Sequence, residues 1–338
     1  MYLRAIASTK PTRSWTQPEC WEALNGSRAL ETLKPRSREL LEKVLLGRNG
    51  IERRHFATER IGDVFSRQAQ QLNESFEREA SRLGATALRQ ALERADLGEV
   101  NALFVCSCTG YLCPGLSSHL AEALALPADT YLLDITGAGC GAALPAIQAA
   151  CHYLQAHPTH RAAVVAVEIC SSAFYINDDP GVLVSLCLFG DGAAALILDG
   201  PEVRRSNLRF QNFHTLHRPE HREKIRFVNR DGKLCNQLNR SVPELAADSV
   251  LSLFRQLNCD SYRIISHSGG RDVLEAIRSQ IPGQDLEEAE AVLREGGNMS
   301  SPAVLMALEK NLRDGKLEPR WLTAFGAGFT CHSCTLEE

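Results

Sequence analysis

Residues 130–154 read TYLLDITGAGCGAALPAIQAACHYL. An apolar, β-branched run breaks at a glycine-marked turn and resumes as an Ala-, Leu- and Gln-rich stretch, so the spacing predicts a strand handing over to a helix. Outward from there the texture repeats, with strand-like runs at 102–107, 162–169 and 193–199 and helical stretches at 117–125 and 142–155. Short, nearly continuous apolar strands alternating with helices predict an α/β fold with helices on both faces of a sheet. Downstream, 243–257, 271–281, 286–294 and 303–312 read as helices, and 263–266 and 322–324 as strands. The order suggests a rough duplication with a boundary near 200–206, dividing the chain into halves 1–205 and 206–338. The first hundred residues read as mostly helical and charged, most clearly over 66–96.

The 338 residues carry 37 Lys+Arg against 41 Asp+Glu, a net charge of −4 that gives no field for nucleic acid or an anionic membrane. With 44% hydrophobic and 23% charged residues the composition is that of a globular protein. The longest apolar runs have the length of buried strands, so no membrane span is expected. Lys10, Pro11 and Arg13 interrupt the N-terminus before an apolar segment develops, which predicts a cytoplasmic protein without a signal peptide. The 12 cysteines then read as reduced, mostly buried thiols. Cys106, Cys108 and Cys113, with Cys331 and Cys334, have some of the look of metal ligands, but no His pair supports them and no metal is expected.

Three polar residues stand at glycine-marked turns. Cys140 lies between Gly139 and Gly141 at a helix start, where unpaired N–H groups favour a thiolate; it is either a nucleophile or a packing thiol. Pro145 fixes that start, since proline is tolerated only early in a helix. His267 ends a strand before Ser268, Gly269 and Gly270, as a base or as a structural histidine. Asn298 precedes Ser301-Pro302, a good helix start, as a donor or a turn residue. A cysteine with a distant His and Asn makes a candidate thiol enzyme.

Five segments, GCGAALPA at 139–146, LFGDGAAALIL at 188–198, SHSGG at 266–270, GNMSSPAVL at 297–305 and AFGAGFT at 324–330, resemble the type III polyketide synthases, the chalcone and stilbene synthase-like family. Their order covers the chain from about residue 15 to the C-terminus. The resemblance implies a five-layered αβαβα thiolase-like fold and a homodimer. It implies that Cys140 takes an acyl starter from coenzyme A and that His267 holds it as a thiolate. His267 and Asn298 would bind the thioester oxygen of malonyl-CoA during decarboxylation, and no metal or redox cofactor would take part. Phe189 matches the family's gatekeeper. Cys108, Cys170, Ser300, Gly269 and Gly270 would contact substrate, and Arg48, Arg53 and Arg54 fall where the family meets coenzyme A phosphates.

Departures from the plant pattern are Gly141 after the nucleophile, Ser268 for proline, Ala327 for proline, and Asn236 where a second gatekeeper phenylalanine stands. Cys113 replaces the residue that reaches into the partner subunit. These changes point to a bacterial-type member with a different starter. An initiation ketosynthase would carry Gln-Ala-Asn after its histidine, where this chain has Ser268-Gly269-Gly270. A non-decarboxylating acyltransferase, a carrier-protein-dependent enzyme and a silent acyl-CoA-binding protein remain as alternatives.

Overall fold

In chain order the strands of the first half are β1 (Tyr2–Thr9), β2 (Ser14–Thr16), β3 (Arg53–His55), β4 (Ala102–Ser107), β5 (Tyr131–Thr136), β6 (Arg161–Glu168) and β7 (Gly192–Asp199). The second half holds β8 (Arg209–His217), β9 (Ile225–Arg230), β10 (Lys233–Leu238), β11 (Arg263–Ser266), β12 (Arg320–Gly326) and β13 (Thr330–Glu337). The computed structural model describes residues 1–257, 261–313, 315 and 318–338. Nine of these strands pair in the order β11-β12-β13-β8-β1-β7-β6-β4-β5.

The polarity repeats. β4–β6 is parallel, and β6–β7 and β7–β1 are antiparallel. β11–β12 is parallel, and β12–β13 and β13–β8 are antiparallel. The two sets meet where Tyr2 of β1 pairs with Arg209 of β8.

Strand alternation sorts the apolar side chains into layers. On β6, Ala162, Val164 and Ala166 join a core shared with the helices Ala143–Ala156 and Pro302–Arg313, while Ala163, Val165 and Val167 face the long helix Ala69–Ala95. β12 does the same: Leu322 and Ala324 join the shared core, whereas Trp321 and Phe325 pack with the helices Val242–Phe254 and Arg271–Gln280. The result is five layers, helix–sheet–helix–sheet–helix, with an alanine-rich middle layer that lets helix and sheet backbones approach closely.

β1 departs from the helical reading of the first hundred residues. It lies mid-sheet between β7 and β8, and a register shift between Leu3 and Ala5 breaks the period-two burial that would mark a strand. The side chain of its Arg4 is buried, with Nε donating to the Ala95 carbonyl at 2.7 Å. β12 extends beyond the expected 322–324, and β13 follows it as an unexpected partner. Cys331 and Cys334 of β13 fall in different cores on opposite sides of the sheet, so they do not converge on one point. Among the described residues no helix is long and apolar enough to cross a membrane.

Candidate active site

β5 ends in a turn whose tight 3-10 segment, Gly139–Gly141, carries Cys140 into the helix Ala143–Ala156. Pro145 is its third residue, where the missing N–H costs no helical bond. β12 lies directly against this turn: a Cβ on Gly326 would fall 2.7 Å from Gly141 N and 2.8 Å from Cys140 N. The AFGAG loop therefore backs the cysteine, and its glycine is required for that approach.

Asn298 follows the helix Glu287–Gly296 and precedes the helix Pro302–Arg313. Its Oδ1 accepts the Ser300 N–H at 2.9 Å, which turns Nδ2 the other way, toward the Gly269 carbonyl at 3.2 Å. Ser300 holds a left-handed backbone, φ 58°, and its Oγ donates to Cys140 Sγ at 3.2 Å. His267 directly follows β11, its ring edge-on to Phe325 with centroids 5.2 Å apart. Its Nδ1 has no hydrogen-bond partner among the described residues.

Cys140, His267 and Asn298 share the wall of one cavity of about 670 Å³. Gly269, Gly270 and Arg48 line it too. A second cavity of about 40 Å³ is lined by Cys108, Cys140, Cys170, Ser300 and Asn236. Phe189, 7% exposed, lines both, as do Cys140 and Ile225.

Burial pushes the Cys140 thiol up to about 12, against the pull of the Ser300 hydrogen bond. Burial likewise brings His267 down to about 4. The helix start favours a thiolate as the sequence suggests, and burial works against charge on both groups. A single charge is disfavoured on either group, whereas a proton passing from one to the other creates two charges that offset each other.

The arginines divide. Arg48 faces the large cavity. Arg53 is exposed on β3 and its Nη1 donates to Ser14 Oγ at 3.1 Å. Arg54, expected against coenzyme A phosphates, is fully buried, with Nη1 donating to the Leu186 and Phe189 carbonyls at 2.7 and 3.0 Å and Nε to Gln17. It braces the Phe189 backbone and offers no open face to a phosphate.

Sequence reasoning missed Glu168, a buried carboxylate at the end of β6 that binds Ser300 and Ser301. Its one signal was an acid closing an otherwise apolar run. It also missed Ile225 and Phe227 of the β9–β10 hairpin on the small cavity, and Lys43, Arg240 and Arg271 on the large one. No local pattern marks those, because they come from separate segments.

A family model described as FAE1/Type III polyketide synthase-like protein matches residues 2–258. Phloroglucinol synthase of Pseudomonas fluorescens is 29% identical over 273 residues, 75% of this chain and 77% of that protein. The 1,3,6,8-tetrahydroxynaphthalene synthase of Streptomyces griseus is 28% identical over 274 residues, 76% of this chain and 73% of that one. The crystal structure of 1,3,6,8-tetrahydroxynaphthalene synthase from Streptomyces coelicolor A3(2), a bacterial type III polyketide synthase, aligns over 99% of each chain with a TM-score of 0.87 and 25% identity. Matched over residues 2–258 in sequence and over its whole length in fold, the chain belongs to the FAE1/type III polyketide synthase-like family of acyl-condensing enzymes.

Proposed function

We propose that Cys140 takes a short acyl starter from a coenzyme A thioester and that malonyl-CoA then extends it by decarboxylative condensation. The observation that carries this reading is the convergence of Cys140, His267 and Asn298 on one cavity wall. In loading, the Cys140 proton passes to His267, the thiolate attacks the thioester carbonyl, and coenzyme A leaves with that proton. Malonyl-CoA next loses its carboxyl as CO2, and the electron pair of the broken C–C bond moves to the thioester oxygen as an enolate. Asn298 Nδ2 and the His267 ring donate to that oxygen, the point where charge develops. The enolate carbon attacks the Cys140 thioester, the β-ketoacyl chain leaves on coenzyme A, and the displaced Cys140 thiolate takes a proton from solvent.

Lys43, Arg48, Arg240 and Arg271 on the large cavity suit the phosphates of coenzyme A. A cavity of about 40 Å³ beyond Cys140 suits a starter of a few carbons better than an aromatic one. A homodimer belongs to the same reading, supported by the exposed Tyr131 and Leu132 on edge strand β5 and the exposed Tyr111. The setting is cytoplasmic, with malonyl-CoA rather than a carrier-protein thioester as extender.

The test is mass spectrometry of the protein incubated with acetyl-, hexanoyl-, benzoyl- and malonyl-CoA, with CO2 and products assayed. An adduct on the Cys140 peptide with malonyl-dependent CO2 supports the reading. An adduct without CO2 makes the protein a non-decarboxylating acyltransferase, and no adduct with any of the four overturns the assignment of Cys140.

A further inference from the structure

Two more thiols, Cys108 and Cys170, share the small cavity with Cys140. An acyl-CoA that meets Cys140 there meets other cysteines of the same intrinsic chemistry. Cys108 is the nearer in bonding terms: Ser300 Oγ lies 3.2 Å from Cys140 Sγ and 3.4 Å from Cys108 Sγ. Something must tell the two apart.

Glu168 treats them differently. One of its carboxylate oxygens accepts from Thr109 N at 3.1 Å, Thr109 Oγ1 at 2.8 Å, Cys108 N at 3.0 Å and Ser107 Oγ at 3.3 Å. The other accepts from Ser301 Oγ at 2.6 Å, Ser300 Oγ at 3.3 Å and Cys108 Sγ at 3.3 Å. Every partner is a donor, so the carboxylate gives no proton back. The Cys108 bond exists only while sulfur keeps its hydrogen; as a thiolate it would face an anion at contact distance. Cys140 has no such bond. The one Ser300 hydroxyl hydrogen reaches Glu168 at 3.3 Å and Cys140 Sγ at 3.2 Å; with Cys108 and Ser301 already donating to the carboxylate it can turn to Cys140, where it supports negative charge.

We propose that Glu168 is a specificity-determining residue that keeps Cys108 a thiol and so directs acyl transfer to Cys140 alone. This rests on the reading of Cys140 as acyl acceptor. After burial, the Glu168 charge pushes all three thiols up; at Cys108 it outweighs the opposing Ser300 hydrogen bond, whereas at Cys140 the Ser300 bond outweighs it.

The experiment is timed alkylation of the full chain with iodoacetamide, mapped by peptide, in the wild type and in Glu168→Gln. A glutamine carbonyl satisfies the Thr109 side and turns its NH2 toward Cys108, where it stabilises a thiolate. In the wild type Cys140 should react at least ~10-fold faster than Cys108, and Glu168→Gln should raise the Cys108 rate by about 10-fold or more. Comparable wild-type rates, or an unchanged ratio in folded Glu168→Gln, overturn the proposal. Should Glu168→Gln not fold, Cys140→Ala with acetyl-CoA decides: Cys108 stays unmodified if Glu168 restrains it, and an acetyl adduct there overturns the proposal. A wild type in which Cys140 itself takes no acyl group fails the underlying reading instead.

Discussion

Phe189 and Asn298 are clipped together as an isolated parallel bridge, Gly190 N–H donating to the Asn298 carbonyl at 3.0 Å and Asn298 N–H to the Leu188 carbonyl at 2.9 Å. The backbone carrying Phe189, which lines both cavities, is therefore tied directly to that of Asn298, whose amide is proposed to stabilise the enolate. Glycine at 190 is part of the clip, since a Cβ there would lie 2.3 Å from the Gly296 carbonyl oxygen. The aromatic side chain is replaceable where the backbone clip is not.

Phe189→Ala should join the two cavities while leaving Asn298 in place. Removing a buried phenyl costs about 3–5 kcal/mol of stability in a packed core, and less here because the ring already borders open space. Longer starters such as hexanoyl-CoA should then load on Cys140 with a kcat/KM at least several-fold above wild type, while malonyl decarboxylation changes little. Steady-state kinetics across a series of acyl chain lengths checks both, and an unchanged chain-length profile would show that the limit on starter length lies elsewhere.

Arg54 and Arg48 should separate cleanly. Arg54→Met leaves the Leu186 and Phe189 carbonyls and Gln17 without their buried donor, a loss of about 1–3 kcal/mol for each unsatisfied group. It should lower Tm and kcat together. Arg48→Ala should raise KM for coenzyme A esters several-fold with little change in Tm or kcat, because its side chain reaches the cavity and not the core. A pure KM effect in Arg54→Met would restore Arg54 to the phosphate site.

Much of this was legible in the sequence because it was local. The nucleophile turn, the histidine turn and the Asn298 loop each sit within a few residues of a strand end or helix start, and glycine and proline mark those points. β4, β6 and β7, buried on both faces, announce themselves as continuous apolar runs. β1 does not, since its bulge disrupts alternation and an arginine sits mid-strand. Arg54 misled for the converse reason: an arginine in sequence reads as a surface cation, and only tertiary packing reveals that three acceptors surround it. Glu168 was invisible because its donors come from 107–109 and 300–301, far apart in the chain.

Gly326→Ala should be among the most damaging small substitutions. Its Cβ would fall within 2.8 Å of Cys140 N, Gly141 N and the Ala138 carbonyl oxygen, all backbone atoms with no rotamer to yield. Either β12 or the nucleophile turn must shift, and a displacement of a few tenths of an ångström at a reacting group lowers rate steeply. The expected result is loss of Cys140 acylation by about 100-fold or more, in protein that keeps its far-ultraviolet circular dichroism. Near-normal acylation would mean that the AFGAG loop yields freely.

His267→Ala should leave Cys140 without its proton acceptor. The thiol then keeps the value of about 12 that burial imposes. Its alkylation at pH 7.5 should fall by roughly 100-fold or more, and rise about tenfold per pH unit up to pH 10. Wild type should show a much flatter profile across the same range, because the imidazole takes the proton internally. Parallel profiles in the two proteins would remove His267 from thiol activation and leave it only the oxyanion role.

Acid should destabilise the fold in a window set by buried groups. His267 is depressed from 6.5 to about 4, so between those values the unfolded chain takes up a proton that the folded chain refuses. The stability from keeping it neutral is whole above pH 6.5 and falls as pH drops, at about 1.4 kcal/mol per pH unit. His332, also brought down to about 4 by burial, adds the same slope. Asp191, raised by burial from 3.8 to about 6, opposes it, since the folded state binds that proton more readily as pH falls through 6. From pH 6 to pH 4 two slopes against one leave a net loss of roughly 1.4 kcal/mol per unit. Urea unfolding at half-unit intervals measures it, and His267→Asn should cancel one histidine's share, flattening the curve between pH 6 and pH 4. A slope unchanged in His267→Asn would mean that the imidazole is protonated in the folded protein across this range, so that burial does not hold it neutral.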